Sequence, residues 1–94
     1  MKTVWKYPTH PDIFNLNLPA GAQVIHFDMQ QGVPTMWVLV ETEAPLELRA
    51  FFGAGTGHPL PDDPRHIGSC IDRELGLVWH LFEPLFGESP SRDG

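Results

Sequence analysis

The stretch "QVIHFDMQQGVPTMWVLV", residues 23–40, decides the fold class. In its first eight residues Ile25, Phe27 and Met29 fall on one side, and His26, Asp28 and Gln30 on the other. Such alternation marks a half-buried strand. Gln31, Gly32 and Val33 then separate it from "TMWVLV", 35–40. Two strands joined by a short glycine-containing loop predict a β-hairpin. The return strand is apolar on both sides, which predicts a central strand covered on both faces.

The same alternation extends outward from the hairpin. Residues 2–7, "KTVWKY", place Thr3, Trp5 and Tyr7 on one side of a strand, and Pro8 and Pro11 end it. Residues 13–18, "IFNLNL", point Phe14, Leu16 and Leu18 one way and Asn15 and Asn17 the other. Residues 46–52, "LELRAFF", predict Leu46, Leu48, Ala50 and Phe52 inward, with Glu47, Arg49 and Phe51 outward. "HIGSCI", 66–71, and "LVWHLFE", 77–83, complete the set, the last apolar on both faces. Pro45 interrupts the one segment with any helical character, 41–49. About seven short strands between turn clusters predict an all-β domain, a small antiparallel sandwich or barrel. It should occupy residues 1–86, with 87–94 a disordered tail.

Composition narrows the function. The chain has 94 residues, ten Pro and nine Gly, so it is one domain rich in turns. The net charge is −6, and its six Lys and Arg are scattered. Nucleic-acid binders concentrate such residues to neutralise phosphates, so direct nucleic-acid binding is not expected. Cys70 is the single cysteine, which removes intramolecular disulfides and suits the cytoplasm. No apolar run follows the N-terminal lysine and none is long enough for a bilayer, so neither a signal peptide nor a membrane span is expected.

The candidate chemistry centres on "FFGAGTGHPLP", 51–61. A phosphate loop gathers backbone N–H groups, usually at a helix N-terminus. Pro59, Pro61 and Pro64 prevent a helix there, and the Lys and Ser/Thr of a nucleotide P-loop are missing. The weaker alternative is an irregular anion nest of Gly55, Thr56, Gly57 and His58, with Arg49 or Arg65 as the charged contact. Glycines in a strand more often mark a bulge or a close backbone approach, and that reading is preferred.

No HxH, HxxH or HExxH pairing exists among the five histidines, so no metal site or cofactor is predicted. Only a distant convergence, such as His26, His66 and His80, could make one. His80, between Trp79 and Leu81, reads as a buried, hydrogen-bonded histidine. On one strand His66 lies roughly 13 Å from Cys70, too far to activate it. Cys70 therefore reads as a core thiol, and no catalytic residue is assigned. Trp5, Trp37 and Trp79 are expected to meet in the core. So many two-sided apolar strands imply either a packed extra element or a sheet face covered by another subunit, that is, a homodimer.

The chain resembles a family of small accessory proteins of tailed phages and prophages. The resemblance rests on "VWKY" (4–7), "PAGAQVIHFDMQQGVP" (19–34), "MWVLV" (36–40), "GTGHPLP" (55–61), "HIGSC" (66–70) and "LVWHLFE" (77–83). It implies a phage or prophage accessory gene acting inside a bacterial host. The missing catalytic constellation, the net acidity and the extra apolar strand faces make binding of a host or phage protein, in counter-defence or host modulation, the expected function. The alternative function is a binder of small anionic ligands such as nucleotides, through the glycine stretch.

Overall fold

The computed structural model of the protein describes residues 1–84. The predicted tail, 87–94, lies outside the described residues. The fold is all-β, with strands β1 (Lys2–Pro8), β2 (Asp12–Pro19), β3 (Gln23–Gln30), β4 (Val33–Glu41), β5 (Leu46–Gly55), β6 (Pro64–Asp72) and β7 (Leu77–Pro84). Their pairing is antiparallel throughout. Sheet A has the order β1-β4-β3 and sheet B the order β2-β5-β7-β6, the arrangement of a small sandwich. Among the described residues no helix is long and apolar enough to cross a membrane.

The hairpin that announces the fold is β3–β4. Its two loop residues, Gln31 and Gly32, both have positive φ, 51° and 81°. That is the backbone of a type I′ turn, whose twist matches the flanking strands. β4 is central in sheet A, as its two-sided apolar character predicts. Met36, Val38 and Val40 face sheet B and are fully buried. Trp37 and Leu39, on the outer face, are only half-buried, so the expected cover on both faces is present on one.

Sheet B contributes Phe14, Leu18, Phe51, Cys70 and Leu81 to the same core, with Phe14 and Phe51 stacked at 5.6 Å. The edge strands β3 and β6 close one side of the sandwich. A Cβ at Gly68 would lie 3.3 Å from the Cβ of Phe27, a tight contact where β6 crosses β3 closely. Each of these strands carries a register shift beside the crossing, at Ile25 in β3 and Ile67 in β6. Such bulges bend a strand and increase its twist.

Three expectations about side-chain direction are corrected. Ile25 is the extra residue of its bulge and is exposed, and Val24 takes the inward place. The tryptophans do not meet in the core: Trp79 packs against it from sheet B, whereas Trp37 lies on the outer face of sheet A beside His26. The largest correction is in β5, whose faces are inverted. Pairing with β2 sets Phe51 beside Phe14 and Arg49 beside Leu16, all inward. Leu46 and Leu48 stand outward, 65% and 67% exposed. A change of phase by one residue exchanges the two sides of a whole strand.

Candidate functional site

The inversion of β5 completes an unusual surface, the outer face of sheet B. From β2 it receives Ile13, Asn15 and Asn17. From β5 it receives Leu46, Leu48, Ala50 and Phe52. β7 adds Val78, His80 and Phe82, and β6 adds His66, Ser69 and Ile71. Ile13 and Ile71 are 55% and 51% exposed. The six charged residues of these strands are Asp12, Glu47, Arg49, Arg65, Asp72 and Glu83, and register assigns every one of them to the opposite side. A broad face without formal charge thus stands on a chain of net charge −6.

The polar side chains of β6 and β7 on this face satisfy one another. Ser69 Oγ lies 2.7 Å from His80 Nδ1 and 2.9 Å from His66 Nε2. His80 Nε2 lies 2.9 Å from Thr56 Oγ1. Both ring nitrogens of His80 are therefore engaged, and the chain Thr56–His80–Ser69–His66 crosses from the end of β5 over β7 to β6. His66 also stacks edgewise on Phe82 at 5.4 Å. A histidine beside a serine invites a catalytic reading, but a Ser–His nucleophile also needs donors for an oxyanion. The backbone around Ser69 and His80 is spent on the β6–β7 ladder, and no carboxylate shares their face.

Behind this face Arg49 enters the cleft between sheet B and the β2–β3 connection. Its Nε and Nη2 donate to Glu83 at 2.8 and 3.0 Å, and its Nη1 donates to the carbonyl oxygen of Ala22 at 2.8 Å. Arg65 donates to the same carboxylate from the rim at 3.0 Å. The bonds to Glu83 raise the pKa of Arg49 above its ordinary value against the opposing effect of burial. Planar two-point pairing of this kind orients both groups.

The residues selected from the sequence fall in two places. Arg49 and Arg65 converge on Glu83. Gly55, Thr56, Gly57 and His58 lie at the far end of β5, six residues or roughly 20 Å along the strand from Arg49. There three donors of the supposed nest are engaged within the fold. The Thr56 N–H donates to the carbonyl of Val78, the His58 N–H to that of Gly55, and the Thr56 hydroxyl is bonded to His80. Gly53 makes a close backbone approach, since a Cβ there would meet the carbonyl oxygen of His10 at 2.4 Å. His26 is on sheet A and His66 and His80 are on sheet B, so the three do not converge. Among the described residues no group of His, Cys, Asp and Glu has the geometry to hold a metal ion. Cys70 is buried, and desolvation, helped by Asp28 and Asp72, pushes its thiol up to about 11.

A family model described as a domain of unknown function, DUF7352, matches residues 1–90. The chain belongs to this family. No curated protein and no solved structure matches it. For this DUF7352 domain the surface just described therefore has to be read from its own chemistry. Two of its features are visible in the sequence, the apolar positions of β7 and the glycine-linked Thr56. The rest needs the phase of β5, which depends on its partners.

Proposed function

We propose that this DUF7352 domain is a non-enzymatic binding protein that engages another protein through the outer face of sheet B. One observation carries the reading: a four-stranded face with exposed Ile13, Leu46, Leu48 and Ile71 and no formal charge. The cores of protein interfaces are depleted of charge and enriched in aromatic side chains, here Phe52 and Phe82. Large exposed apolar patches on small domains mark contact sites. The setting implied by the resemblance belongs to the same proposal: a phage or prophage accessory protein in the cytoplasm of a bacterial host, acting in counter-defence or host modulation. The small-ligand alternative has less support, because Arg49 spends its guanidinium on Glu83 and Ala22, and Thr56 its N–H and hydroxyl on Val78 and His80.

A photo-reactive amino acid tests the reading. Placed at Leu48 or Ile71 and irradiated in the bacterial host, it captures a protein. Placed at Val4, exposed on sheet A, it does not. Equal capture from both sheets, or none from sheet B, would sink the reading.

A further inference from the structure

We propose that the outer face of sheet B is the contact surface of a homodimer, two copies stacking these faces across a two-fold axis. The proposal rests on the protein-binding reading and names the partner as a second copy of this chain. Charge supplies the first argument. Copies with net charge −6 repel one another wherever their acids approach. On sheet B the charged residues of the strands are all assigned to the other side, so two copies can meet here without opposing like charges. A basic partner would instead be matched by acidic groups on the contact face.

Hydrogen bonding supplies the second argument. A face that buries itself must leave no polar group unpaired. The Thr56–His80–Ser69–His66 chain supplies its own partners and asks little of the other surface. The remaining polar side chains, Asn15 and Asn17, lie on the edge strand β2. A carboxamide carries both donor and acceptor, so it can pair with its own copy across a two-fold axis.

Size supplies the third. Four strands of eight to ten residues, about 4.8 Å apart and rising about 3.3 Å per residue, make a staggered face, since β5 pairs with β2 along all of Asp12–Pro19 but with β7 only over Phe52–Gly55. Its projection is roughly 500 Å², and side chains standing off the sheet raise the accessible area towards the about 800 Å² per partner of stable complexes. Sheets packed face to face lie about 10 Å apart with interdigitating side chains, the arrangement already used inside each copy.

Sedimentation equilibrium of the full chain from 1 to 200 µM (roughly the range of weak to moderate dimers) tests the proposal. The expected mass is twice the 10.5 kDa chain. Leu48→Glu, which sets a carboxylate on the face of each copy, weakens dimerisation at least about 100-fold, or over 2.7 kcal/mol. Val4→Glu on sheet A leaves it unchanged, and circular dichroism shows both variants folded. Leu48→Ser gives the same loss without a new charge. A wild-type chain that stays at single mass, or a Leu48→Glu variant that stays dimeric, overturns the dimer. If the wild type is monomeric yet the cross-linker at Leu48 captures a different protein, only the identity of the partner is wrong. If it captures nothing, the binding reading fails as well.

Discussion

Adding a methyl group at Gly53 sets β5 against the strand connection that crosses it. The Cβ of Gly53→Ala would lie 2.4 Å from the carbonyl oxygen of His10, whereas ordinary contact begins at 3.4 Å. One side must retreat by the difference, 1.0 Å. Neither moves easily. β5 is paired on both sides, with β2 and β7. The crossing segment is anchored where the Thr9 N–H and hydroxyl both donate to the carbonyl of Pro34. Overpacking of this kind costs about 1–3 kcal/mol. The alanine recovers about 0.4–1 kcal/mol by restricting the unfolded chain. The expected net loss is roughly 1–2 kcal/mol, or a fall in Tm of roughly 5–15 °C for a domain of this size. Gly55→Ala is the control, because its Cβ is tight only against the end of the His58 ring, at 3.2 Å, which can swing aside, and meets Trp79 Cζ3 at an ordinary 3.6 Å. Urea and thermal unfolding followed by circular dichroism give both numbers. Unchanged stability of Gly53→Ala, or equal damage from Gly55→Ala, would refute the structural account of the glycine stretch. A stretch kept for a ligand predicts no loss in the ligand-free protein.

Arg49→Met leaves Glu83 in the cleft with only the rim residue Arg65, and urea unfolding should show a loss of about 1–3 kcal/mol. Arg49→Lys should recover only part of it, because an ammonium cannot reproduce the two-point fork. Phe51→Ala, at a fully buried position, should cost about 3–5 kcal/mol. The Cys70 thiol is raised to about 11 from an ordinary 9.0, so the unfolded chain loses its proton first. Stability is therefore unaffected below pH 9 and falls as pH rises from about 9 to about 11. A Cys70→Val variant should lack that decline in an otherwise identical pH series, and the wild-type thiol should react slowly with disulfide reagents at pH 8.

Legibility followed the range of the interactions. The β3–β4 hairpin was readable because alternation and a Gln-Gly turn are local, and the strands β2, β6 and β7 followed from the same pattern. Alternation misplaces Ile25, because a bulge is a disagreement between two strands and not a property of one. The Thr56–His80–Ser69–His66 chain joins residues from β6, β7 and the turn after β5, with no sequence spacing to announce it. Arg49 looked like a surface cation because an arginine between glutamate and apolar residues normally is one. Its partner, Glu83, is 34 residues away.

The sequence alone determined that this chain is β, roughly where its strands lie, and that its glycine stretch leads into no helix. Periodicity and prolines act over a few residues and need no partner. The tertiary structure decided which side of β5 is inside. In "LELRAFF" one side holds Leu46, Leu48, Ala50 and Phe52 and the other Glu47, Arg49 and Phe51, so local pattern alone favours the wrong side. That pattern is overridden by the place for Phe51 against Phe14 and by the carboxylate of Glu83 waiting for Arg49. That choice carries the charges inward, turns Leu46 and Leu48 outward, and creates the neutral face on which the proposed function rests.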